Sequence, residues 1–172
     1  MKLRIDQITA IQTVRRWHTR GTYREQSVAE HSHQVALLAL HLAPTSLCDF
    51  DLLQLLLLAL LHDAHEGEFG DFPYPTKVML KELGMDVDDI CQFEFWGSID
   101  GADPFEEALP HVRRLVDVAD LLEAALYAQK WIPELAEKTA QQAIQAAHRL
   151  SPQVFVKVVQ ALGRVPFTPL ED

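Results

Sequence analysis

The sequence predicts an all-α protein, one domain over residues 1–172 built as a bundle of about six to eight helices. Three observations carry this. Apolar residues recur at helical spacing in segment after segment. The β-branched alternation that marks half-buried strands is scarce, and the chain has no Asn, so the Asn-Gly hairpin signal is absent. Hydrophobic residues make up 48% and charged residues 23% of 172 residues, a globular composition in a length that suits one sizeable core.

The first helix is expected from about residue 4 to Trp17, with Ile5, Ile8, Ile11 and Val14 on one stripe. TRGTYREQ, residues 19–26, is a polar connection. Ser27 is an N-cap with Glu30 three residues on, a capping box that opens the second helix. That helix carries Val35, Leu38 and Leu42 and stops before Pro44. The third, Asp51 to about Ala64, is apolar almost all round, which predicts the most buried position. GEFGDFPYPT, residues 67–76, holds two Gly and two Pro and reads as a loop. An amphipathic helix follows over Asp86–Trp96. Residues 104–108 are too short to assign. HVRRLVDVADLLEAALYAQK, residues 111–130, is a strong helix. Another begins near Pro133, and a last one covers Pro152–Leu162.

Lys plus Arg is 15 and Asp plus Glu is 25, a formal charge of −10. That balance argues against a non-specific nucleic-acid binder, which needs a basic face, but leaves room for a small anion in a local basic pocket. Cys48 and Cys91 lie far apart and in no metal spacing, as expected of reduced thiols in a cytoplasmic protein. The N-terminal residues are too polar for a signal peptide. The apolar run Leu52–Leu61 is about half of the ~20 residues that a membrane span needs, so no membrane association is expected.

The informative stretch is LLALLHDAHEGE, residues 57–68. A leucine-rich helix runs straight into His62, Asp63, His65, Glu66 and Glu68. Burying such groups unpaired costs several kcal/mol each. Either the helix ends in water or a cation sits at its end. His31 opens an earlier helix, and Asp117 and Asp120 lie inside a later one. Two neutral imidazoles and two carboxylates suit a borderline divalent ion such as Mn, Fe, Co, Ni or Zn, and they bring the net charge of the site close to zero.

Five stretches extend this pattern: RRWHT at 15–19, SVAEHS at 27–32, LLHDAHE at 60–66, GDFPYPTK at 70–77 and VADLLEA at 118–124. With them the chain resembles the HD-domain phosphohydrolases, and more narrowly the compact bacterial and phage members related to 5′-deoxynucleotidases. The resemblance covers residues 15 to about 124. It implies a helical bundle around one divalent metal ion held by His31, His62, Asp63 and Asp120, with Asp117 as the alternative last ligand. It implies Glu66 as acid/base residue, and Arg16, Trp17, Asp71 and Lys77 as substrate contacts. Read without it, Glu66 is a solvated helix-end residue, Trp17 a core residue, Asp71 a turn aspartate and Lys77 a surface lysine.

The chemistry suits these roles. An Arg fork holds a phosphate, a Trp face stacks on a base or sugar, and a carboxylate takes a proton from a metal-bound water. His33 and His65 face away from their neighbours by about 100–200° of helix turn and are left out. The implied substrate is a deoxynucleotide cut at the 5′ α-phosphorus. A deoxynucleoside monophosphate would release phosphate, and a dNTP, dATP in some phage relatives, would release triphosphate. The remaining alternative is a non-catalytic nucleotide-binding module. The resemblance further implies a homo-oligomer, dimer or larger, with Phe93, Phe95, Trp96 and Trp131 as interface or core.

Overall fold

The computed structural model describes residues 5–22, 24–99 and 108–163; residues 104–107 of the unassigned stretch lie outside them. The architecture is all-α. In order it runs α1 (Ile5–Ala10), β1 (Arg15–Arg16), β2 (Gln26–Ser27), α2 (Val28–Leu42), α3 (Asp49–Leu61), α4 (Glu66–Phe69), α5 (Tyr74–Glu82), α6 (Val87–Gly97), α7 (Pro110–Trp131), α8 (Pro133–Leu150) and α9 (Pro152–Ala161). None of the described helices is long and apolar enough to cross a membrane.

The first helix ends seven residues before the expected Trp17. Thr9, Ile11, Thr13 and Val14 crowd a helix at χ1, and their backbone has better partners elsewhere. The carbonyls of Ile11 and Val14 accept from the N–H groups of Ala29 and Val28, each at 3.0 Å. These are the opening donors of α2, which have no partner inside their own helix. The released chain forms β1, antiparallel to β2, with Arg15 opposite Ser27 and Arg16 opposite Gln26. Ser27 does cap α2, its hydroxyl accepting from the Glu30 N–H at 3.1 Å. The capping box is only half formed, because the Glu30 carboxylate pairs with Arg24 instead.

The third helix is not the central one. α3 buries only Leu55, Leu58 and Ala59, while Phe50 and Leu53 are 68% and 57% exposed and Leu57 and Leu60 also face outward. All-round apolarity says that a helix can be buried, not which side is covered. The centre belongs to α7, which packs against α2, α3 and α8. Its buried stripe includes Val112, Leu115, Val116, Ala119, Leu122 and Ala125, and α2, α8 and α9 close the core around it. Lys157 of α9 donates to the carbonyls of His41, Leu42 and Ala43 at 2.8, 3.3 and 3.1 Å, satisfying the end of α2.

The expected loop at 67–76 is mostly helix. α4 makes one turn and ends at Gly70, whose φ of +83° favours glycine. At Gly67 in that turn the end of α1 and the residue after it approach closely: an added Cβ would stand 3.0 Å from Ile11 Cγ2 and 3.2 Å from Ala10 Cβ. Pro73 and Pro75 then start α5 rather than prevent it, since proline at a first turn gives up an N–H that has no helical partner anyway. Of the aromatic residues expected at an interface or in the core, Phe95 and Trp96 are buried and Phe93 is 77% exposed.

Candidate functional site

α2, α3 and α7 bring three side chains, and the turn after α3 a fourth, around the His31 ring. His31 lies in the first turn of α2, His62 caps the C-terminus of α3, Asp63 follows it and Asp120 sits mid-way along α7. His31 Nε2 is 3.0 Å from Asp120 Oδ1, 3.2 Å from His62 Nε2 and 3.5 Å from Asp63 Oδ2. His62 Nε2 is 3.3 Å from Asp63 Oδ2 and 4.0 Å from Asp120 Oδ1. Ligands about 2.0–2.2 Å from a tetrahedral ion stand roughly 3.3–3.6 Å apart, so this spacing fits a divalent cation. Asp120 stands within 4.0 Å of both imidazoles, and Asp117 is in reach of the His62 charge.

Both rings are aimed from behind. His62 Nδ1 donates to the Ala59 carbonyl at 2.9 Å, and His31 Nδ1 donates to Glu123 Oε2 at 2.7 Å. Each ring thus keeps its proton on Nδ1 and presents Nε2 as a ligand. Gln92 of α6 donates to the His62 carbonyl at 3.3 Å and fixes the helix end. Burial pulls the His62 imidazole down, but Asp63 and Asp120 outweigh it and push it up to about 9. Burial pushes Asp120 up, yet the hydrogen bond and charge of His31 hold it down to about 2. Asp63 is likewise well below the usual carboxylate range, the charge of His62 outweighing burial. A proton and an ion therefore compete for the same place.

Glu66 does not continue the α3 helix. Residues 62–65 make a tight turn, closed by the Glu66 N–H on the Asp63 carbonyl at 3.0 Å, and Glu66 opens α4. It is 2% exposed and its Oε2 has no hydrogen-bond partner. Burial, joined by the charges of Asp63 and Asp71, raises its pKa well above the usual range. Lys77 reaches it from α5, with Nζ 3.4 Å from Glu66 Oε1 and 2.9 Å from Asp88 Oδ1. His65, set aside on helical geometry, is buried beside this pair, its Nε2 3.9 Å from Asp88 Oδ1. The turn at 62–65 breaks the regular 100° step on which that exclusion rests.

Arg16 points at the four-residue cluster from β1. Its Nη1 stands 3.7 Å from Asp63 Oδ2 and 4.0 Å from Asp120 Oδ1, buried and without a hydrogen-bond partner. Trp17 has φ +61°, a left-handed conformation that is rare for a bulky residue and costs about 1–3 kcal/mol. Its ring is held by a parallel stack on Tyr127, centroids 5.8 Å apart, and by its N–H on Gln26 Oε1 at 3.3 Å. Asp71 lies 3.7 Å from His18, and burial raises its pKa despite Arg16 and Lys77.

Arg16, Trp17, Asp71, Lys77 and Asp120 all line one cavity of about 670 Å³. Its far wall is α8, through Leu135, Lys138, Thr139 and Gln142, with Leu121 and Ala124 of α7 beside them. The α8 residues escape a sequence reading because no motif marks the C-terminal third. The spacing of Leu135, Thr139 and Gln142 on one helical face is the signal that could have flagged them. Gln26, Asp88 and Glu123 were missed as well. Each acts through another side chain, and only the fold brings them together.

A helical bundle that gathers a histidine, a His-Asp pair and a later aspartate from three helices defines the HD-domain class. Within it, the chain belongs to the 5′-deoxynucleotidase YfbR-like family, whose sequence model matches residues 5–160. It is 33% identical over 123 residues to a dATP triphosphohydrolase of Salmonella phage PMBT28. That match covers 66% of this chain and 59% of the relative, so the chain spans less than two thirds of the curated protein's length. The fold is shared with the HD phosphohydrolase DatZ of cyanophage S-2L, solved with dA and one catalytic Zn2+ ion. The TM-score is 0.72 at 22% identity, over 94% of this chain and 95% of that one.

Proposed function

We propose that the protein is a metal-dependent phosphohydrolase that cuts deoxynucleotides at the 5′ α-phosphorus, acting as a 5′-deoxynucleotidase on deoxynucleoside monophosphates. The observation that carries this reading is the convergence of His31, His62, Asp63 and Asp120 beside an Arg16 Nη1 that is buried and without a hydrogen-bond partner. The four donors hold one divalent transition-metal ion, for which Zn2+ has precedent in the phage relative of the same fold. Arg16 holds the phosphate, and its fork suits two phosphate oxygens. Glu66, a buried carboxyl with a raised pKa, exchanges the proton of the attacking water. Trp17 and α8 receive base and sugar, Asp71 reads a sugar hydroxyl, and Lys77 balances charge beside Glu66.

A second reading, release of triphosphate from a dNTP, is favoured by charge beyond the first phosphate. Arg20 and Lys138 line the cavity, with the Lys138 ammonium over the Tyr74 ring. The phage dATP triphosphohydrolase supports it too. A panel of dNMPs and dNTPs with separate phosphate and triphosphate detection decides between them. Phosphate from dNMPs sustains the first reading, triphosphate from dNTPs the second, and no turnover with any loaded metal ends both. Self-association is part of the proposal: Leu37 and Leu40 of α2 and Phe50, Leu53, Leu57 and Leu60 of α3 are exposed apolar residues on neighbouring helices, and light scattering in solution reads the mass.

A further inference from the structure

Behind the metal seat runs a buried chain of hydrogen bonds with no place in the reaction as described so far. His31 Nδ1 donates to Glu123 Oε2 at 2.7 Å. The other carboxylate oxygen, Oε1, accepts from Gln26 Nε2, also at 2.7 Å. Gln26 Oε1 in turn accepts from the indole N–H of Trp17 at 3.3 Å. His31, Glu123 and Gln26 are 0%, 5% and 3% exposed, so water does not substitute for these three, while Trp17 at the end of the chain is half-buried.

The chain has one sense. An indole N–H only donates and an ionised carboxylate only accepts. Gln26 therefore has a single amide orientation that satisfies both neighbours. Flipping it would set its NH2 against the indole N–H and its carbonyl against the carboxylate. The backbone of the same residue pairs with Arg16 across the β1–β2 ladder. Gln26 thus fixes two neighbours at once, Arg16 through its main chain and Trp17 through its side chain. The stack on Tyr127 sets the plane of the Trp17 ring, and the bond to Gln26 sets its rotation within that plane.

We propose that Gln26 and Glu123 are positioning residues that tie the Trp17 ring to the metal ligand His31, so that filling the seat sets the face on which a nucleotide's base or sugar packs. An ion on His31 Nε2 draws charge from the ring and strengthens the Nδ1–H bond to Glu123. Glu123 is pinned, and with it Gln26 and Trp17. The part of this proposal that concerns nucleotides rests on the function given above, whereas the link between seat and ring does not.

The test adds Zn2+ to chelator-stripped protein and follows tryptophan emission. The unaltered protein shows a saturable change on Zn2+ binding that Trp17→Phe removes. Gln26→Leu takes up Zn2+ in the wild-type ratio and shows no emission change. With the deoxynucleotide that the substrate panel selects, Gln26→Leu raises KM by about tenfold with kcat nearly intact, as expected for a buried hydrogen bond that orients a binding face. Trp17→Phe/Gln26→Leu is no worse than Trp17→Phe alone, since both act through one contact.

Gln26→Leu with the emission change and KM of the wild type overturns the proposal, and so does full additivity in the double variant. Should Gln26→Leu not fold, the indole N–H resonance of Trp17 in the unaltered protein carries the test. It must move on Zn2+ addition, and a resonance that stays in place sinks the idea. A protein that hydrolyses no deoxynucleotide but shows the Zn2+-linked change in Trp17 loses its functional reading and keeps the relay.

Discussion

Two clusters of histidine and carboxylate meet at the turn over residues 62–66, and they differ in where their positive charge stands. In the cluster of His31, His62, Asp63 and Asp120, Arg16 is the nearest cation among the described residues, at 3.7 and 4.0 Å from the carboxylates, too far for hydrogen bonds. Like His31, His62 and Asp63, the trio of His65, Glu66 and Asp88 has ligand atoms close enough to share an ion. There, however, Lys77 stands 2.9 Å from Asp88 and 3.4 Å from Glu66. Donor identity alone does not separate the two. What separates them is where the cation stands: Lys77 Nζ sits between the carboxylates of the second cluster, whereas Arg16 stands off the first and leaves its donor atoms open toward one another. Under the proposed function, that gives two carboxylates three residues apart opposite duties, Asp63 to hold a metal and Glu66 to move a proton.

The harshest way to break the contrast is to empty the first cluster. His62→Ala or Asp63→Ala removes a donor that the other three cannot replace, so bound metal and turnover are both lost, as elemental analysis and product assay will show. A variant that loses its metal and keeps its rate separates the seat from the chemistry. Glu66→Gln is milder. It preserves shape and metal content and lowers kcat by roughly 10²–10⁴-fold, the usual contribution of a positioned acid or base. Full activity in Glu66→Gln removes Glu66 from proton transfer.

The first cluster was the legible one. His62 and Asp63 draw the eye by interrupting a leucine run, but it is the family resemblance carried by SVAEHS, LLHDAHE and VADLLEA that singles them out together with His31 and Asp120. Their support was not legible. Glu123 lies in the quoted VADLLEA stretch but acts on His31, a residue distant in sequence, and Gln26 looked like part of a polar connection. Helix boundaries failed where side chains had competing roles. Ile11 and Val14 read as a helix stripe, yet their carbonyls serve α2. Pro73 and Pro75 read as breakers, yet they start α5. The burial of α3 failed for another reason: an apolar surface in every direction carries no directional information, whereas the mixed pattern of α7 does.

The smallest effect sharpens the comparison most. Lys77→Met removes the internal cation of the second cluster and keeps a similar length of apolar stem. Glu66 and Asp88 then face each other with His65 alone between them. In metal-free buffer the variant loses roughly 1–3 kcal/mol of stability, a figure discounted because the Lys77 side chain is 26% exposed. Added Zn2+ restores part of that loss by binding the folded state, and the metal content rises from one ion per chain to two. Lys81→Met, on the same helix, is the control. Its amine pairs with Asp86 at 2.7 Å in an exposed position, so its removal leaves the melting temperature and the metal content nearly unchanged. If Lys77→Met still binds a single ion and melts where the parent does, the ammonium is not what closes the second cluster, and the division of labour between Asp63 and Glu66 needs another cause.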